Sequence, residues 1–122
     1  MRYAKISSVF YILWGALHIL AALEEFSLGS ELERGIVQGK LYQGAWDLLF
    51  FSLFAIVIAV IYNWKNDRLG FWLNLVIVSA ADIGFIVFVL LPGYVSIFPG
   101  ILGPVFWLSG VIFSSLGVRS NT

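Results

Sequence analysis

Three ionisable side chains of this sequence lie within long apolar runs: His18, Asp47 and Asp82. Asp82 is past the middle of Phe71–Leu91, FWLNLVIVSAADIGFIVFVLL, a stretch about long enough to cross a bilayer's hydrocarbon core. An acid at that depth is costly, so the surrounding chain must pair it or use it. A histidine beside an aspartate can pass a proton. Such a site can isomerise a double bond, open an epoxide or cyclise a polyene without a cofactor. In this scheme Asp82 orients His18 or exchanges a proton with it, and Asp47 is the second acid or base. These three are the predicted catalytic residues.

The rise of a helix, about 1.5 Å per residue, puts the three at one level. Asp82 stands about 13 residues, roughly 20 Å, from the inner start of its segment, and His18 stands as far from Lys5. Asp47 is about five residues, roughly 8 Å, below the opposite surface. Neighbours at helical spacing extend the constellation. Trp14, His18 and Glu25 share a side of the first segment, and Gln43 and Asp47 pair on the second with Trp46 alongside. Ser79 and Asp82 pair on the third. Gathered together, these sides form a pocket of imidazole, carboxylates and an amide. Trp14, Trp46 and Trp107 are its walls, able to offer π faces to a developing cation. Each residue also has an ordinary role. An intramembrane His can hydrogen-bond a neighbouring helix, Asp47 can cap its helix or reach for the surface, and Glu24 and Glu25 can be solvated interface charges. Asp82 can hold helices together, paired with His18 or a tryptophan N–H.

Positioning these groups falls to four apolar segments, at about 4–23, 42–62, 69–91 and 101–118, within one domain. Each is near the ~20 residues that a spanning helix needs, and none shows the period-2 alternation of a barrel strand. The composition agrees: 122 residues, 61% hydrophobic and 11% charged, with a mean hydropathy of +0.96. The predicted fold is therefore an all-α integral membrane protein, four transmembrane helices in an antiparallel bundle. The first run, followed by Glu24-Glu25 with no small-x-small cleavage pattern, reads as a retained span rather than a signal peptide. Arg2, Lys5, Lys65, Arg68 and Arg119 fall on one side of the spans, and Arg34 and Lys40 on the other. That bias predicts an inner cell membrane with both termini cytoplasmic. Tyr62, Trp64, Phe71 and Trp72 read as interface anchors around the inner turn.

The first external loop, Glu24–Lys40, contains Ser30-Glu31-Leu32-Glu33, a capping-box pattern that predicts a short amphipathic helix lying as a lid over the pocket. The last loop carries all three prolines, and its Tyr94–Phe98 segment is predicted to dip into the interface. Gly103, Trp107, Gly110, Ser114 and Gly117 make a small-residue face on the fourth segment, predicted to pack inside the bundle or against a second copy in a homodimer.

Zero net charge gives no field for nucleic acid, and the absence of cysteine excludes thiol chemistry and iron–sulfur clusters. The paired Glu-x-x-His motifs of di-iron bundles are missing, and a single His could coordinate haem only singly or jointly with its mate across a dimer axis, so neither metal nor cofactor is predicted. Ala22-Leu23-Glu24-Glu25-Phe26 resembles the Glu-Glu-Phe run of small carotenoid-cyclase membrane domains over five residues, with Ala22 where those domains carry proline. That resemblance implies a cyclase-type reaction on a lipophilic polyene. In its acids and His the chain is similar to small sterol-isomerase-type membrane domains, without an ordered motif. Its size and span number resemble those of small multidrug exporters and fluoride channels, but the exporters' deep glutamate and the channels' Gly-rich segment with a buried Arg are absent. Three function classes follow: a site binding or converting a lipophilic small molecule in the bilayer, a structural or accessory membrane protein without chemistry, and a proton-linked transporter or channel using Asp82 and Asp47.

Overall fold

The computed structural model describes residues 2–120, and all their regular structure is helical. The helices are α1 (Arg2–Ser30), α2 (Ile36–Ile61), α3 (Arg68–Phe85), α4 (Ile97–Gly100) and α5 (Leu102–Ser120). A 3₁₀ turn at Asn63–Lys65 extends α2, and a π-helical turn at Ile86–Leu90 extends α3. Four stretches are long and apolar enough to cross a membrane: Arg2–Ser30, Ile36–Lys65, Arg68–Leu90 and Ile97–Ser120. All four predicted segments are therefore helical; three run beyond the apolar run at both ends, and the third ends at Leu90, one residue short of it. In hydrocarbon a helix is the local way to pair every backbone N–H and C=O, and nothing obliges it to stop where the side chains turn polar.

The connection between α2 and α3 is tight. Asn66 takes a left-handed conformation (φ 58°), which asparagine tolerates better than most residues, and its side chain donates to the Gly117 carbonyl of α5. Asp67 caps α3 by accepting from the Leu69 N–H at 2.8 Å. Lys5 lies 5.3 Å over the Trp64 ring, which ties the start of α1 to this same end.

The long helices form a ring in which α1 packs along α2 and α5, and α3 closes the ring against the same two. The centre holds Tyr11, Trp14, Ala55, Ala59 and Val78. Helices in a bilayer gain little from the hydrophobic effect, so small residues and polar contacts must hold them. Both are present. At Gly15 an added Cβ would lie 2.8 Å from the Ser52 carbonyl oxygen, so α1 and α2 cross almost backbone to backbone. Ser7 donates to the Gly110 carbonyl at 2.8 Å, and Asn74 donates to the Ala55 carbonyl and to Asn63 Oδ1.

The first loop differs from its expected form. The 31–35 stretch is a turn, and no separate helix lies between α1 and α2. Ser30 ends α1 instead of capping a new helix, and its hydroxyl donates to the Ser27 carbonyl. The amide of Gln38 on α2 donates to the Gly29 carbonyl, which also accepts from the Leu32 N–H, and to the Leu32 carbonyl, bracing the turn that follows α1. On α5, the small-residue face packs inside the bundle, the first of its two expected uses: Gly103, Gly110, Ser114 and Gly117 are all buried.

Replacing Gly15 by valine should force α1 and α2 apart and cost about 1–3 kcal/mol, the usual range for overpacking. Reversible unfolding in mixed micelles with increasing SDS measures it, and Ala16→Val on the exposed side of α1 is the control expected to change little.

Candidate functional site

Trp14, His18 and Asp82 come together in the structure, and Trp14 organises the other two. Trp14 is fully buried on α1, and its indole N–H donates to Asp82 Oδ2 at 3.1 Å. Its backbone carbonyl lies 2.7 Å from His18 Nδ1. Its ring stacks on the imidazole, with centroids 4.0 Å apart and planes inclined by 21°. The spacing of four residues explains the pairing, since positions i and i+4 lie above one another on a helix. The contact with Asp82 differs in kind, because it crosses the ring from α1 to α3.

These contacts determine which atoms are left. A carbonyl oxygen only accepts, so His18 Nδ1 must carry the proton of that hydrogen bond, which in the neutral ring leaves Nε2 with the free lone pair. Asp82 is fully buried, and with Oδ2 engaged by Trp14 its Oδ1 has no hydrogen-bond partner. Both open atoms border Gly103 of α5. A Cβ built there would lie 3.3 Å from His18 Nε2, 3.4 Å from Asp82 Oδ1 and 2.9 Å from His18 Cε1. Only a residue without a side chain lets the α5 backbone seal this place without displacing the imidazole. Trp14, rather than His18, is thus the hydrogen-bond partner of Asp82.

Other predicted members are placed elsewhere. Asp47 and Gln43 are exposed on the outward face of α2, and Trp46 beside them is 64% exposed. The buried face of that helix carries Ala45, Ser52, Ala55, Ile58 and Ala59. Asp47 therefore shares no pocket with His18 and Asp82. Glu25 is half-buried against Gly44, some ten Å along α1 from His18 at the helical rise. Ser79 and Trp107 do meet: the Trp107 indole N–H donates to Ser79 Oγ at 2.8 Å, one turn from Asp82. Two indoles, one from α1 and one from α5, thus donate to acceptors on α3.

The first loop does not roof this cluster. Ser30 is twelve residues beyond His18, roughly 18 Å along α1. The nearer cover is the connection from α3 to α5. It starts with the π turn directly after the helical turn that follows Asp82, where the Leu91 N–H reaches back to the Ile86 carbonyl. It then passes through Pro92–Gly93 and the short α4, and Gly100 fits against Leu90, Val95 and Phe85. Tyr94, Ile97 and Phe98 are each more than 70% exposed, which makes the tip of this connection apolar.

Among the described residues two buried atoms besides Asp82 Oδ1 lack partners: the Tyr11 hydroxyl and Asn74 Oδ1. They extend buried polarity toward the end of the molecule that holds Asn63, Ser7 and Ser8. In the sequence that half looks nearly all apolar, because hydroxyls and single amides barely interrupt a hydrophobic run. Among the described residues no group of three or more His, Cys, Asp or Glu is arranged to hold a metal ion.

The Trp14–Asp82 bond is separable from the stack. Trp14→Phe keeps an aromatic ring over His18 but strands Asp82 Oδ2, and should destabilise the protein by about 1–3 kcal/mol. Asp82→Asn retains a carbonyl acceptor and should cost less. A double-mutant cycle in SDS unfolding is expected to show that the two changes are not additive. No known protein family, curated protein or solved structure matches the chain.

Proposed function

We propose that this is a small integral membrane protein whose Trp14–His18–Asp82 cluster binds or converts a lipophilic small molecule by acid–base exchange. The observation that carries this reading is the convergence of two open atoms, His18 Nε2 and Asp82 Oδ1, on one point beside Gly103. Trp14 fixes both side chains from the far side, so the free atoms are held where a double bond, epoxide or polyene could accept and return a proton. His18 is the base through Nε2, Asp82 the acid or proton acceptor through Oδ1, and Trp14 the positioning residue. Asp47 has no part in this scheme, because it faces away. Entry requires α5 to separate at Gly103, and the connection from Ile86 to Ile101 is the segment that would move.

In this reading the four helices form an antiparallel bundle in an inner cell membrane, with both termini cytoplasmic. Gly103 lies against His18 and Gly110 against Tyr11, an order that supports opposed directions for α1 and α5. The excess of Lys and Arg at the end bearing Lys5 and Trp64 supports the orientation.

A second reading, proton-linked transport through Asp82, is favoured by a separate observation. The unpartnered Tyr11 hydroxyl and Asn74 Oδ1 add polar groups in the half where a path to the cytoplasm would have to run.

The two readings separate by measurement. Organic extracts of purified wild-type protein should contain a lipophilic species, seen by mass spectrometry, that falls at least about tenfold in His18→Gln and in Asp82→Asn, a loss the size of one charge-assisted contact. Identical extracts from all three would end the lipophilic-site reading. A proton flux in proteoliposomes that disappears in Asp82→Asn would establish the second one instead.

A further inference from the structure

Gln43 and Asp47 sit one turn apart on the exposed face of α2. Ser52, five residues further along, lies against Gly15, so Asp47 is only roughly 8 Å along the helix from the middle of the α1–α2 crossing. Counted from the other end of the apolar run, Asp47 is roughly 8 Å below the surface, where a polar side chain gains by finding a polar partner. Among the described residues neither Gln43 nor Asp47 has a hydrogen-bond or ion-pair partner. Around them the surface is large and apolar: Trp46 and Phe50 are 64% and 58% exposed and, with Leu49 and Leu53, line a shallow groove.

We propose that this face of α2 is a homodimer interface, in which the Gln43 amide of each copy donates to the Asp47 carboxyl of the other. A primary amide and a carboxyl one turn apart form a self-complementary pair, one supplying donors and the other acceptors. Copies inserted in one membrane share an orientation, so a two-fold axis along the membrane normal makes the contact reciprocal, with each Gln43 amide reaching diagonally across the rise of about 6 Å to the partner's Asp47. Both polar groups then gain partners while Trp46 and Phe50 pack across the axis. The small-residue face of α5, the other candidate, is already filled by Tyr11 and His18 of its own chain. The interface does not depend on what the Trp14–His18–Asp82 cluster does.

The chain has no cysteine, so single cysteines report cleanly. Mild oxidation in native membranes should convert Phe50→Cys to a disulfide-linked dimer and leave Val76→Cys, on the 60% exposed side of α3, monomeric. Adding Gln43→Leu and Asp47→Leu to Phe50→Cys should lower the dimer about fivefold, the effect expected of interhelical polar contacts in a bilayer. Leucines at lipid-facing positions leave the helix itself intact. Equal crosslinking at Phe50→Cys and Val76→Cys would overturn the proposal. So would a Phe50→Cys dimer unaffected by the leucines, or a monomer whose Asp47 reaches lipid headgroups instead.

Discussion

One hydrogen bond, from the Trp14 indole to Asp82, joins the two helices that sit opposite one another in the ring. The other close packing is between neighbours. A carboxyl that is fully buried in an apolar surround must be held by donors, since an unpartnered buried polar group is expensive. Trp14 supplies one donor from across the centre, and the position of the indole is itself fixed by stacking on His18. The imidazole is held in turn by the carbonyl of the same tryptophan. Removal of any one contact therefore disturbs the other two. Everything nearby is arranged around this closed loop: Gly103 because no side chain fits, and Val78 because it fills the turn below Asp82.

The remaining ties repeat the same logic with smaller partners. Where apolar side chains gain nothing by leaving lipid, specificity must come from contacts that lipid cannot imitate. Hydroxyls and amides donating to backbone carbonyls do this at Ser7, Asn66 and Asn74. Each of the last two contacts uses an asparagine, a side chain long enough to reach a neighbouring backbone and short enough to be held. The exposed leucines, valines and phenylalanines on the opposite faces are then what a bilayer requires, not defects of packing.

The four apolar runs were legible because a run of about 20 apolar residues suits a membrane span and little else. The common level of His18 and Asp82 was legible too, since rise along a helix depends only on counting. Azimuth was not. Counting put Asp47 near the same height, but spacing alone does not tell which side of α2 turns inward, and that side is chosen by Ala45, Ser52, Ala55 and Ala59. The i, i+4 relation of Trp14 and His18 was visible, whereas the role of the indole N–H needed the position of α3. The 30–33 pattern misled because Ser and Glu close to a helix end fit a start as well as a finish. The Gln38 side chain, which settles the matter by serving the end of α1, acts from six or more residues away. The π turn after Asp82 has no composition of its own to announce it.

α3 is the helix that its neighbours hold least. Only 17% of its apolar window is buried, against 28% to 33% for the other three. Most of its surface therefore faces outward, and its ties to the ring are a few side-chain hydrogen bonds: Trp14 to Asp82, Asn74 to Ala55 and Trp107 to Ser79. A thicker or thinner hydrocarbon layer acts on such a helix by tilting or sliding it. Because Asp82 rides on α3 while Trp14 and His18 ride on the well-held α1, that sliding changes the height of the carboxyl relative to the imidazole. A change in the thickness of the bilayer would thus be felt at the cluster as a load on the Trp14–Asp82 hydrogen bond.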